Sequence, residues 1–228
     1  LLSAAMDALL SPLYSPARVR FVPLRPHTVI GSYMPPDEML YPVDEVAEHL
    51  AGEPIPVADL AAGVMYVLCY RPRHRDATVF LQLAQAYTRT HAPDFPSRLA
   101  VEVRQAMADG DWVGTIGRLW TVVQLSPEVP EPLDELAQGC LAFGFITSAR
   151  GEFHLAARMA RAAGAALNIL LELFPTYAPG HLRRAEFLAA AGGSPRAASS
   201  VREALRLGLP PDLAQEAYDL LTDLDAGK

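Results

Sequence analysis

Gly110-Asp111-Trp112, Gly151-Glu152-Phe153 and Gly192-Gly193-Ser194 follow one another at a constant spacing of 41 residues. Each triplet stands between two stretches with helical hydrophobic periodicity. Glycine tolerates the positive φ that ends a helix, and a small or acidic residue after it suits the start of the next one. In the second turn, Glu152 places negative charge at a new helix N-terminus, and Phe153 is expected to pack back onto the helix before it. A fixed period of this length marks stacked supersecondary units, here helix hairpins.

Outward from these turns, the periodicity predicts helices near 57–70, 76–91, 96–108, 111–125, 132–149, 152–174, 180–191, 194–207 and 211–225. The breaks have physical causes. Pro72, Pro93, Pro127, Pro130, Pro132, Pro175, Pro179, Pro210 and Pro211 stop or start helices, and Gly110, Gly151, Gly192 and Gly193 close them. The first quarter reads differently. Pro12, Pro16, Pro23, Pro26, Pro35, Pro36, Pro42, Pro54 and Pro56 leave no room for a long helix, although Val43 to Leu50 fits two turns and Val19 to Val22 fits a short extended piece. Residues 1–56 are therefore expected to form an irregular Pro-rich arm, and residues 57–228 a helical repeat domain. The arm's apolar side chains, among them Phe21, Ile30 and Met34, suit packing along the helices better than a free polar tail.

Composition agrees with an all-α fold. Of 228 residues, 51% are hydrophobic but only 8% aromatic, and Ala and Leu dominate where a β-rich chain would use Val, Ile, Thr and aromatics. The formal charge of −7 opposes general attraction to nucleic acid or to an anionic membrane. The apolar stretches Val57 to Tyr70 and Ala162 to Phe174 fall short of the ~20 residues that cross a bilayer. A soluble, cytoplasmic protein is the default expectation. The opening Leu1-Leu2 fits a trimmed or partial chain as well, which leaves room for a removed signal peptide. Arginine supplies 18 of the 19 cationic side chains, Lys228 being the lone lysine. We read this uniform choice as coding bias.

Phe80-x-x-Leu83-Ala84-x-x-Tyr87 sets a large apolar residue, Leu, a small residue and an aromatic at fixed helical intervals. Phe143-Gly144 is followed by Gly151-Glu152-Phe153 and then by Ala156 and Ala163. Ala185, Leu188, Gly192, Ala197, Val201, Ala204 and Pro210 give a third, partial set. Over residues 76–225 the chain thus resembles the tetratricopeptide repeat (TPR) family. That resemblance implies antiparallel helix-hairpin repeats forming an α-solenoid, and a concave groove, lined by first helices, that binds a peptide. Two departures stand out: the period is 41 rather than the family's usual 34 residues, and helix 152–174 exceeds a standard second helix. The repeats are degenerate, and 76–91 reads as a first helix by motif but as a second helix when pairs are counted back from Gly110.

No catalytic motif is legible. His27, His49, His74, His91, His154 and His181 form no i, i+4 pair with a carboxylate set, and there is no G-x-S-x-G elbow, P-loop or G-x-G-x-x-G stretch. Asp37-Glu38 and Asp44-Glu45, with Glu48, read as solvated acidic surface, and Cys69 and Cys140 as buried free thiols. Neither a cofactor nor a metal is called for. Two arginine clusters are candidates for partner binding. Arg71, Arg73 and Arg75 in the Arg-Pro-Arg-His-Arg run could present several guanidinium groups to a carboxylate or phosphate, or form a solvated loop. Arg183 and Arg184 are, by the TPR resemblance, candidate groove residues beside Arg158 and Arg161; the alternative is surface pairing, for example of Arg183 with Glu186 at i+3. The apolar positions around Leu119, Trp120, Val123, Leu167, Leu170 and Leu171 are core, and Trp112 and Trp120 fit one seam. The sequence therefore points to a non-catalytic scaffold or adaptor for a protein or peptide, with homo-oligomers also open. An all-α receptor or enzyme with a pocket assembled from distant residues, and a sensor module of a larger regulator, stand as alternatives.

Overall fold

A computed structural model of the chain describes residues 9–10, 81–82, 84–86, 88–90 and 93–226. The described residues are helical and contain no strand. Seven complete helices follow in order: α1 (Phe95–Ala108), α2 (Trp112–Leu125), α3 (Glu131–Ala149), α4 (Phe153–Leu173), α5 (Ala178–Ala190), α6 (Ser194–Leu207) and α7 (Pro211–Asp225). Their ends lie within two residues of those expected, because Pro and Gly set most of them. The described parts of 81–90 are helical too. The expected helix 57–70 and the Pro-rich arm lie outside the described residues, as does the proposed boundary at 56/57. The chain falls into two compact units that meet between Val129 and Pro130.

The three turns at 41-residue spacing share one hydrogen-bond pattern. Gly110, Gly151 and Gly192 have φ of +74°, +80° and +77°. In each turn the glycine N–H donates three residues back, to the carbonyls of Met107, Ser148 and Ala189. The next N–H donates five residues back, from Asp111 to Ala106, Glu152 to Thr147 and Gly193 to Leu188, at 2.8 to 2.9 Å. This is the Schellman arrangement, which satisfies the carbonyls a helix end would leave orphaned.

In the first unit, α1 and α2 pack as a hairpin. Asp111 caps α2 by accepting from the Gly114 N–H at 2.9 Å, and a Cβ at Gly114 would collide with that carboxylate. From Thr115 to Leu125 every residue of α2 except Arg118 is buried. Arg118 leaves the core to meet Glu102 and Asp111 at 3.5 and 3.6 Å. Trp120 is fully buried while Trp112 is half-buried, so the two share a helix but not an environment.

In the second unit, α3 packs on α4 and α5 on α6, with α5 also meeting α3, α4 and α7. Small residues let these helices approach closely: a Cβ at Gly144 would stand 3.3 Å from the Met159 Cβ, and Ala162, Ala163 and Ala166 are fully buried. Leu182, Ala185, Val201, Ala204 and Ala217 form a second core that Leu213, Leu220 and Leu224 of α7 close over. Burying these faces, at roughly 25 cal/mol per Å² of apolar surface, is what fixes the pairing.

Candidate functional site

Arg183 and Arg184 are neighbours on α5 that turn to different partners, as residues about 100° apart on a helix must. Arg183 donates through Nη1 to both Glu186 carboxylate oxygens at 3.0 and 3.2 Å and approaches Glu216 of α7 at 3.6 Å. The i+3 pairing anticipated as the alternative is therefore present. Arg184 donates through Nε to the Ser200 hydroxyl of α6 at 3.2 Å, and its Nη2 stands 3.4 Å from the Nδ1 of His181. His181 is buried and its Nε2 lies 2.8 Å from the Pro175 carbonyl, an arrangement that suits an Nε2–H tautomer. Both guanidinium groups are engaged within the unit rather than presented to solvent as a pair. Arg158 is half-buried, and Arg161 is exposed with its Nε donating to the Ala157 carbonyl of its own helix. Arg71, Arg73 and Arg75 lie outside the described residues, as do Cys69 and the acidic pairs of the arm.

Beside Arg183 stands a group that the sequence reading did not single out. Asp134, in the first turn of α3, is only 6% exposed, and its Oδ1 has no hydrogen-bond partner. Its Oδ2 accepts from Gln138 at 3.2 Å. Burial pushes its carboxyl up to about 6; the charge of Arg183 and the Gln138 hydrogen bond pull down against this, while Glu186 and Glu135 add to the rise. Tyr177, ahead of α5, is raised as well, by burial first and then by the charges of Asp134 and Glu131. Burial by itself would lower the Arg183 pKa, but Glu186, by charge and hydrogen bond, with Asp134 and Glu216, holds it above the usual value. The buried Cys140 thiol, free as expected, is pushed up to about 12 by burial alone. Among the described residues no three His, Cys, Asp or Glu side chains converge as a metal set, and no helix is long and apolar enough to cross a membrane.

A concavity of the second unit lies elsewhere, between the C-terminal half of α3, the N-terminal half of α4 and the end of α5. It measures about 440 Å³ and is lined by Leu141, Gly144, Phe145, Ser148, Phe153, Ala156, Ala157, Ala160, Phe187, Ala190 and Ala191. Its origin is a mismatch of helix lengths. The 21-residue α4 spans about 31 Å and the 13-residue α5 about 20 Å at 1.5 Å per residue. The two are antiparallel, with Phe187 against Gly164, where a Cβ would stand 3.2 Å from the ring. α5 therefore ends opposite Ala160, and the first two turns of α4 overhang it. On that overhang Phe153 is 69% exposed, and Phe145 of α3, which also lines the cleft, is 66% exposed. The expected packing of Phe153 back onto the preceding helix is thus corrected. Its ring stands mostly in solvent at the cleft rim, because the floor beneath it, Gly144 and Ala156, lets α3 and α4 close without it.

The long α4 was visible in the sequence as a departure from the TPR pattern, and two phenylalanines on an otherwise small-residue surface were a further signal. Only the register with α5 turns them into a cleft. No protein-family model, no curated protein and no solved structure matches the chain.

Proposed function

We propose that the chain is a non-catalytic scaffold that binds a protein or peptide partner, and that the second unit holds the partner in the α3–α4–α5 cleft. The TPR-like reading of the repeats belongs to this proposal. One observation carries it: an open, almost wholly apolar cleft of about 440 Å³ with Phe145 and Phe153 exposed on its rim. Exposed aromatics grouped at a concavity of small residues are the ordinary make-up of a helix-in-groove or side-chain-anchor site. A small-ligand receptor or enzyme would join an enclosed cavity to convergent polar groups with shifted pKa. Here the shifted carboxyl of Asp134 is not among the cleft's lining residues, which favours the scaffold over that alternative.

The test is selection of peptides from a displayed library against the full chain, followed by fluorescence anisotropy on the wild type and on Ala157→Glu. Ala157 is exposed at the cleft, so the substitution blocks the floor without burying a charge in the core. Selected peptides are expected to bind the wild type and to lose about tenfold or more on the variant, the order of one lost anchor contact, with an unchanged circular dichroism spectrum. Equal binding by both forms would place the peptide site elsewhere.

A further inference from the structure

The segment that builds the cleft runs against the sign of the whole chain. Between residues 141 and 171 the cationic side chains Arg150, Arg158 and Arg161 stand against a single carboxylate, Glu152, a net of three minus one, or +2, in a chain whose formal charge is −7. Ion pairs among the described residues engage Arg98, Arg118, Arg183, Arg202 and Arg206. None of them engages Arg150, Arg158 or Arg161. At 100° per residue, Arg161 lies on the exposed stripe of α4 that adjoins Ala157, with His154 about 20° beyond it. The N-terminus of α4 opens at the same rim without a side-chain cap, since Glu152 makes no such hydrogen bond. Its partial positive charge adds to that of the arginines.

We infer that the cleft takes an acidic amphipathic helix of a protein partner, its apolar face between Phe145, Phe153 and Phe187 and its carboxylates toward Arg161 and the α4 N-terminus. This rests on the peptide-binding reading above and names the partner's chemistry. The overhang sets the length of the anchor. From Phe153 to Ala160 is seven residues, about 10 Å of helix axis, which accommodates a partner's apolar residues at i, i+3 or i+4, and i+7. The small floor residues admit the partner's backbone, and about 440 Å³ is room for two or three branched or aromatic side chains. Charge at the rim then selects among helices with equal apolar faces.

The experiment uses the full chain and three labelled helical peptides that share one Leu/Phe pattern at i, i+4 and i+7. One carries Glu on the polar face, one Lys, and one Glu with the apolar positions scrambled. The acidic peptide is expected to bind about tenfold tighter than the basic one at low salt, to lose that margin at 0.5 M salt, and to fall about threefold to tenfold on Arg161→Glu. The scrambled peptide is expected not to bind. If the basic peptide binds as tightly as the acidic one, or Arg161→Glu leaves the margin intact, the acidic-partner inference is overturned while peptide binding stands. If none of the three binds and library selection also yields no ligand sensitive to Ala157→Glu, the peptide-binding reading falls with it.

Discussion

Replacing Asp134 by Asn removes the charge of the most deeply placed shifted carboxyl while keeping its shape and its reach to Gln138. In the folded chain the Asp134 carboxyl is pushed from 3.8 to about 6, chiefly by burial and against the pull of Arg183. A folded pKa above the unfolded one means that the native state holds the proton more tightly. The contribution to stability is complete below pH 3.8, shrinks as pH rises through the window from about 4 to 6, and is gone above it. Two units at ~1.4 kcal/mol each make the ionised group about 3 kcal/mol less favourable to fold than the neutral one. Glu135 and Glu186 oppose the charge further, while Arg183 offsets only part of the cost. Asn, neutral at every pH, should therefore make the chain more stable than wild type at pH 7.5 by about 1–3 kcal/mol, with the difference vanishing near pH 4. Urea unfolding followed by circular dichroism at both pH values reads this directly. An Asn variant less stable than wild type at pH 7.5 would make the Asp134–Arg183 attraction the larger effect, and a gain that persists unchanged at pH 4 would show that ionisation of Asp134 is not its source.

Two further outcomes follow from the geometry. Gly192 has φ of +77° with open space around a would-be Cβ, so Gly192→Ala should cost about 1 kcal/mol through backbone strain alone, seen as a lower urea midpoint; no change would mean that the Schellman turn relaxes freely. In a Cys69→Ser background, the buried Cys140 thiol should react with a disulfide reagent at neutral pH roughly a hundredfold or more slower than a free thiol, and at the free-thiol rate in urea. Fast native labelling would contradict its burial.

Helix ends were legible because their causes are local. Proline removes an amide donor wherever it sits, and a glycine before a small or acidic residue signals a left-handed C-terminus, so α3, α4, α6 and α7 begin and end close to where their sequences say. Asp134 was not legible. An acidic residue in the first turn of a helix reads as dipole compensation on a solvated end, and its burial depends on α5 closing over α3, a pairing no local pattern encodes. Phe153 failed for a related reason: its position in the turn suggested packing against α3, but Gly144 and Ala156 bring the two backbones too close to leave it a slot. The pairing of Arg183 with Glu186 was readable from its i+3 spacing, whereas the turn of Arg184 toward Ser200 needed the α5–α6 contact.

The central claim is that a partner helix docks where α4 overhangs α5. Hydrogen–deuterium exchange on the full chain, with and without a peptide selected against it, tests the location most directly. With peptide bound, slowed exchange is expected to be confined to residues 141–161 and 187–193. Protection centred on residues 71–75, or on Arg183 and the α7 segment around Glu216, with 141–161 unchanged, would contradict that claim.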